Sequence, residues 1–272
     1  MAINYASKYS GKIDERFSIE SKTAQAVNTD YDFVGVKTVN VYSVPTAAMN
    51  DYTRSGANRY GTPEELGNTV QELTLSQDRS FTFSIDRGNF NDTQMTNSAG
   101  AALDRQIREV IAPEIDIYRL AKMAASAGAS KTTELTKDNA YDALLDAATA
   151  LTEAKVPLEG RIAYASAQFY KLIKEDSMFI KTSDMSQKIV INGQVGQVDG
   201  IALVVLPSSY LPANTAFIVT HRVATVSPIK LSEYKIHDNP PGINGWLVEG
   251  RVYYDAFVLD NKAKAIYVHK IA

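Results

Sequence analysis

Three histidines, two adjacent glutamates and a few spaced glycines are the residues of this chain with the best claim to chemistry. His221, His237 and His269 stand singly, none inside H-E-x-x-H or beside a second ligand type at helical spacing. A metal site needs such convergence, so all three read as structural or solvent-exposed. Cysteine is absent from the 272 residues, which removes disulfides, thiolate metal sites and a cysteine nucleophile. No G-x-S-x-G sets a serine on a nucleophile elbow, and no G-x-x-x-x-G-K-[ST] offers a phosphate cradle. Gly193, Gly196 and Gly200 give G-x-x-G-x-x-x-G after a hairpin signal, which is not the dinucleotide-binding spacing. Glu64 and Glu65 adjoin in a Gly/Pro-rich loop, where paired carboxylates mark a solvated surface more often than an acid–base pair. Neither catalysis nor a cofactor is indicated.

Cations do not gather into a nucleic-acid stripe. Arg105, Arg108, Arg119 and Lys122 share a stretch with Asp104, Glu109, Glu114 and Asp116, which reads as a charge-laced solvent face of a helix. The net charge is -3, so dedicated nucleic-acid binding has no global electrostatic support. With 45% apolar and 22% charged residues the chain can build a core of one or two domains. No eighteen-residue apolar run occurs and the first ten residues lack a signal-peptide core, so no membrane partner is expected.

The elements that would carry these residues are long. From Trp246 to Leu259 every second residue is apolar or Gly (Trp246, Val248, Gly250, Val252, Tyr254, Ala256, Val258). Such alternation predicts one strand with a buried face, about 46 Å long at 3.3 Å per residue. Ala99–Ala127 switches to helical spacing through Leu103, Ile107, Val110/Ile111, Ile115 and Tyr118, with Ser98 as N-cap and a kink or break at Pro113. Two elements of such length belong to an extended molecule.

Ahead of the helix, residues 1–32 form a polar arm with too few apolar residues to bury itself; it orders against its own domain or a neighbouring subunit. Val34–Val44 and Ser80–Asp86 read as matching strands, with a bulge near Thr38–Val39. They bracket Pro45–Arg79, a polar, Gly-punctuated tip, and together predict a projecting β-ribbon. After the helix an α+β unit follows: a helix Lys137–Ala154 capped by Thr136, a strand Arg161–Ala165, and a helix Ala167–Glu175 capped by Ser166. A hairpin at Asn192-Gly193, strands Ile201–Leu206 and Ala216–Thr220, and a turn or short helix at His221–Thr225 come next. Leu231–Ile236 should pair with the Trp246 strand, and Ala265–His269 supplies the last strand.

This order, with R-I-A-Y-A-S-A-Q-F-Y-K-L-I-K (Arg161–Lys174), V-D-G-I-A-L-V-V-L-P-S-S-Y-L-P (Val198–Pro212) and G-W-L-V-E-G-R-V-Y-Y-D-A-F-V-L-D-N-K (Gly245–Lys262), resembles the major capsid protein of tailed bacteriophages over nearly the whole chain. The resemblance implies an α+β capsid fold: an N-arm at 1–32, an extended E-loop ribbon at 33–91, a peripheral domain at 92–135 and 228–260 with a spine helix, and an axial domain at 136–227 and 261–272. It implies a non-enzymatic coat protein that assembles through hexamers and pentamers into an icosahedral shell around a DNA genome, in the host cytoplasm. The partners it implies are other copies of itself, a portal and a separate scaffolding protein, with room for a decoration protein. Some relatives cross-link subunits through an E-loop lysine, but no lysine lies between Lys37 and Lys122 here, which predicts non-covalent reinforcement. Arg54, Arg59, Glu64 and Glu65 at the ribbon tip are the candidates for inter-subunit ion pairs. Two alternatives remain: an encapsulin, which has the same subunit fold around enzyme cargo, and a soluble α+β enzyme with a site built from scattered residues.

Overall fold

The computed structural model describes residues 21–31, 33, 36–92, 98–176 and 194–272. Most of the arm and the Asn192-Gly193 turn lie outside the described residues. Chain order begins with β1 (Thr38–Ser43), β2 (Thr69–Thr74) and β3 (Gln77–Asp86), then a short helix α1 (Arg87–Asp92). A long helix follows as α2 (Ala99–Gln106), a π-turn (Ile107–Ile111) and α3 (Ala112–Ala125).

The partner of the first strand differs from expectation. β1 pairs antiparallel with β2, Thr38 opposite Thr74 and Ser43 opposite Thr69, while β3 joins a different sheet. β2 escapes a reading by alternation because Gln71 points inward, where its Nε2 donates to the Val258 carbonyl at 2.9 Å. The pairing runs without a bulge from Thr38, where the strand begins. The ribbon is therefore β1–β2, with residues 44–68 as its tip.

The long helix is not broken at Pro113. Proline cannot donate to the Glu109 carbonyl, and the helix widens by one residue just before it, with the Ala112 N–H bonding the Ile107 carbonyl. This wide turn keeps Leu103, Ile107, Ile111 and Ile115 on one side and leaves Val110 exposed. The buried side packs on Phe81, Tyr234, Val248, Val252 and Tyr254 of a three-stranded sheet ordered β10-β11-β3. In that sheet β10 is Ile229–Asp238 and β11 is Gly245–Tyr254. The start of β11 needs glycine: a Cβ on Gly245 would lie 2.1 Å from the Ile85 carbonyl oxygen. Ser98 caps the helix as expected, accepting from Ala101 N–H at 3.3 Å.

The fourteen-residue strand ends early. β11 stops at Tyr254, about 33 Å of strand. Asp255 then bends the chain by accepting the next N–H, of Ala256, at 2.8 Å. Phe257–Val258 pairs instead with a two-residue strand, Thr225–Val226.

The second unit is a six-stranded mixed sheet in the order β4-β13-β8-β5-β7-β6. These are Ala129–Thr132, Ile266–Lys270, Thr215–His221, Arg161–Ser166, Ile201–Leu206 and Gln194–Val198. β4 carries A-S-K-T and is too short and polar to announce itself; it pairs parallel with β13. Helices α4 (Ala140–Glu153) and α5 (Ala167–Glu175) cover one face through Leu144, Leu151, Phe169 and Ile173. Leu120 and Met123, at the end of the long helix, cover the other. With both faces covered, every residue of β8 is buried.

Caps and turns here are partly reassigned. Ser166 caps α5, accepting from Phe169 N–H. Thr136 does not cap α4: its hydroxyl accepts from Asp138 in a turn that delays the helix to Ala140. The first-turn N–H of Tyr141 finds the carboxylate of buried Asp176, beyond α5, at 3.1 Å. A hairpin turn between β6 and β7 uses Asp199-Gly200, both in the left-handed region that such two-residue turns require. The segment after β8 is a turn, closed by Ala224 N–H on the His221 carbonyl.

Two histidines are built into this sheet uncharged. His221 Nε2 donates to the Glu159 carbonyl at 2.9 Å, while Nδ1 accepts from Val223 N–H at 3.3 Å, so a second proton would displace that bond. Burial first, then neighbouring Arg161 and Arg222, pushes the His221 pKa down; burial likewise lowers His269, which stacks on Phe217. Because the folded pKa values lie below the unfolded 6.5, their contribution is complete above that pH and is lost as acid charges them. Urea unfolding of the unassembled subunit should show stability falling as pH drops below 6.5. His221→Gln should flatten that fall, and an unchanged slope would remove His221 from the account.

Candidate functional site

Two places in this fold have the composition of working surfaces: the ribbon and a buried polar junction beneath it. The ribbon buries Leu73 beside Val39 and Val41 and carries its other large apolar residues outward. Tyr42, Val44, Met49, Tyr52, Tyr60, Leu66 and Val70 are all at least half exposed, Met49 at 98% and Tyr60 at 85%. Scattered singly, such residues would mean little, but this clustering on one projection marks a surface built to be covered. The tip is locally ordered. Thr53 N–H bonds the Arg59 carbonyl at 3.1 Å, Tyr52 and Tyr60 meet edge to face at 5.0 Å, and Arg59 Nε donates to the Gly56 carbonyl.

Arg54, Arg59, Glu64 and Glu65 all sit on this tip and are exposed. Among the described residues none of the four forms an ion pair within its own chain. Their charges face solvent in this subunit. His237 lies apart, exposed beside Glu249, and the two buried histidines belong to the sheet. Among the described residues no three His, Asp or Glu side chains converge as a metal site. No helix among them is long and apolar enough to cross a membrane.

Sequence reasoning missed the buried junction. Asp116 and Arg119 are not part of a solvent face: they are 1% and 3% exposed. A charged pair this deep needs full hydrogen bonding, and residues 21–23 of the arm provide it. The Asp116 carboxylate accepts from Ser21 Oγ (2.6 Å), Thr23 Oγ1 (2.5 Å), Lys22 N–H (2.8 Å) and Thr23 N–H (3.3 Å). Arg119 donates through Nη1 to Ser21 and Thr23 and through Nε to Ser227 Oγ at 2.8 Å. Burial lowers the Arg119 pKa and the Asp116 charge opposes that shift. Tyr164 closes the junction from the six-stranded sheet, donating to the Lys22 carbonyl at 3.1 Å, and burial raises its pKa. A signal existed: Ala112, Asp116, Arg119 and Met123 recur at helical spacing on the buried stripe, where charges are out of place.

The described part of the arm therefore packs on its own subunit. Asn28 continues the attachment, its N–H on the Thr225 carbonyl and its amide on the Arg222 carbonyl. A second saturated carboxylate, Asp255, holds the ribbon base. It accepts from Ser76 N–H and Oγ, both at 2.8 Å, from Tyr118 OH at 2.7 Å, and from Ala256 N–H.

A long helix on a three-stranded sheet, a six-stranded mixed sheet, and a ribbon whose apolar face is left open together define a coat-subunit fold. Residues 71–268 match a family described as phage capsid protein, and the chain belongs to that family. No curated protein sequence matches it. Its fold is similar to a structure from Mycobacterium phage Che8, with TM-score 0.70 and 20% identity over 90% of this chain and 89% of that one. The capsid structure of cyanophage P-SCSP1u gives TM-score 0.71 and 13% identity, covering 91% and 86% of the two chains. A virus-like particle from Pyrococcus furiosus follows at TM-score 0.59 and 12% identity, covering 98% and 100%. As a phage capsid protein the chain is a structural, self-assembling component of the virion capsid and not an enzyme.

Removing one member of a buried, hydrogen-bonded charge pair strands the other in a dry site. Asp116→Ala should cost roughly 3–5 kcal/mol in urea unfolding of the unassembled subunit. A loss below about 1 kcal/mol would mean that the junction is hydrated and the arm only loosely seated.

Proposed function

We propose that the chain is the major capsid protein of a tailed bacteriophage or prophage. It assembles through hexamers and pentamers into an icosahedral shell that holds the DNA genome. The observation that carries the reading is the outward apolar face of the β1–β2 ribbon, which its own subunit leaves uncovered. Laid on the next subunit around a ring, that face would be buried, and the repeated heterologous contact closes the ring. Arg54, Arg59, Glu64 and Glu65 then form inter-subunit ion pairs that set register.

In this reading the ribbon is the E-loop. Sheet pairing supports ending it near Ser76, since β3 belongs to the three-stranded sheet. That sheet and the long helix form the peripheral domain, 77–127 and 228–260. The six-stranded sheet with its helices forms the axial domain, 128–227 and 261–272, starting at β4 because β4 pairs with β13. Assembly takes place in the host cytoplasm, with a portal and a separate scaffolding protein as partners and room for a decoration protein. DNA is held without sequence contacts, consistent with a net charge of -3. An encapsulin-type compartment is the weaker reading because the matching family is that of phage capsids.

The triple substitution Met49→Ser, Tyr52→Ser, Tyr60→Ser should leave the thermal transition of the unassembled subunit nearly unchanged, as exposed sites do. Shell yield in sedimentation should fall by about tenfold or more, each lost anchor weakening every repeated contact. Arg59→Glu should lower the yield as well; full yield from both variants would sink the assignment. Lacking a ribbon lysine, assembled shells should dissociate to single chains in hot detergent. Heavier covalent ladders with Lys–Asn linked peptides would contradict this.

A further inference from the structure

The arm junction and the ribbon base are ends of one buried chain of polar groups. Ser227, 1% exposed, stands between them. Its hydroxyl accepts from Arg119 Nε at 2.8 Å and donates to the Asp255 backbone carbonyl at 2.9 Å. Its N–H bonds the Asn28 carbonyl of the arm at 3.2 Å. On one side Arg119 holds Ser21 and Thr23; on the other the Asp255 carboxylate holds Ser76, which sits between the ribbon and β3. Asp255 N–H, on the Pro228 carbonyl, ties the two segments again.

We propose that seating the arm stiffens the base of the ribbon through the relay Thr23–Arg119–Ser227–Asp255–Ser76. Thr23, Arg119, Ser227 and Asp255 are buried, so none of these four can exchange a lost partner for bulk water without opening the structure; Ser76 is the exposed end of the relay. When Ser21 and Thr23 leave, Asp116 loses the donors of residues 21–23 and Arg119 Nη1 loses two acceptors, with the Asp116 carboxylate 3.9 Å away. The guanidinium then turns toward Asp116 and withdraws its Nε–H from Ser227. Ser227 loses its donor, its hold on the Asp255 carbonyl loosens, and the Asp255 carboxylate, still held by Tyr118 and Ala256, fixes Ser76 less tightly. The ribbon base is therefore looser in a subunit with an empty arm site than in one whose arm is seated, within what buried Leu73 and Leu75 allow. The arm acts as a catch on the ribbon within a single subunit.

Hydrogen–deuterium exchange on the purified full chain reads this directly. Thr23→Val keeps the arm's size and removes one hydroxyl. It should raise exchange at residues 21–28 and also, by about threefold or more, at residues 69–77, with β8 unchanged. In a Ser227→Ala background the same substitution should still loosen 21–28 but add nothing at 69–77, because the relay is already cut. A response confined to the arm overturns the proposal. So does a uniform rise that includes β8, which would make the arm a general stabiliser. Equal effects of Thr23→Val at 69–77 with and without Ser227 would overturn it too, by removing Ser227 from the path.

Discussion

A buried carboxylate holds each of the two extensions of this subunit to its body, Asp116 the arm and Asp255 the ribbon base. Asp116, 1% exposed, is surrounded by four donors from residues 21–23 and by the neighbouring Arg119. Asp255 has the same character at the ribbon base, with both oxygens occupied. Such sites are poor general stabilisers, since desolvation offsets most of the attraction, but they are specific: only one placement of the arm and one of the ribbon base satisfies them. The fold thus fixes where the arm and the ribbon leave the body, and the apolar residues of the ribbon tip stay exposed.

That division suits a coat protein. A compact domain maximises burial within its own chain, whereas this one places Tyr60 and Met49 almost fully in solvent on a ribbon. In the proposed shell the missing burial comes from another copy, the same patch repeating around a ring. Backbone order at the tip, from the Thr53–Arg59 bond and the Tyr52–Tyr60 contact, limits the entropy lost on docking. Arginines rather than lysines at the tip favour bidentate ion pairs over covalent attachment.

Patterns tied to a period were legible before any coordinates. The stripe Leu103, Ile107, Ile111, Ile115 and the alternation Val248, Gly250, Val252, Tyr254 both face the core as written, and the Ser98 and Ser166 caps fall where they should. Polar residues that act against their type stayed hidden. Gln71 faces inward and masked β2; Asp255 ended a strand whose alternation ran on to Leu259; Asp116 and Arg119 looked like solvent charges. Each is satisfied by a partner distant in sequence, Val258, Ser76 or Ser21, so no local window contains the reason. Pro113 was legible in part: the irregularity it predicts near Ala112 is there, as a π-turn that carries the helix through without a break.

The central claim, that the open ribbon face exists to be covered by further copies of the chain, is met most directly by sedimentation velocity on the purified protein with negative-stain microscopy of the fast fraction. The account predicts rings or closed shells of megadalton mass, alone or with scaffold. A species that stays near the 29.8 kDa of one chain at every concentration, and does so with scaffold present, would contradict it.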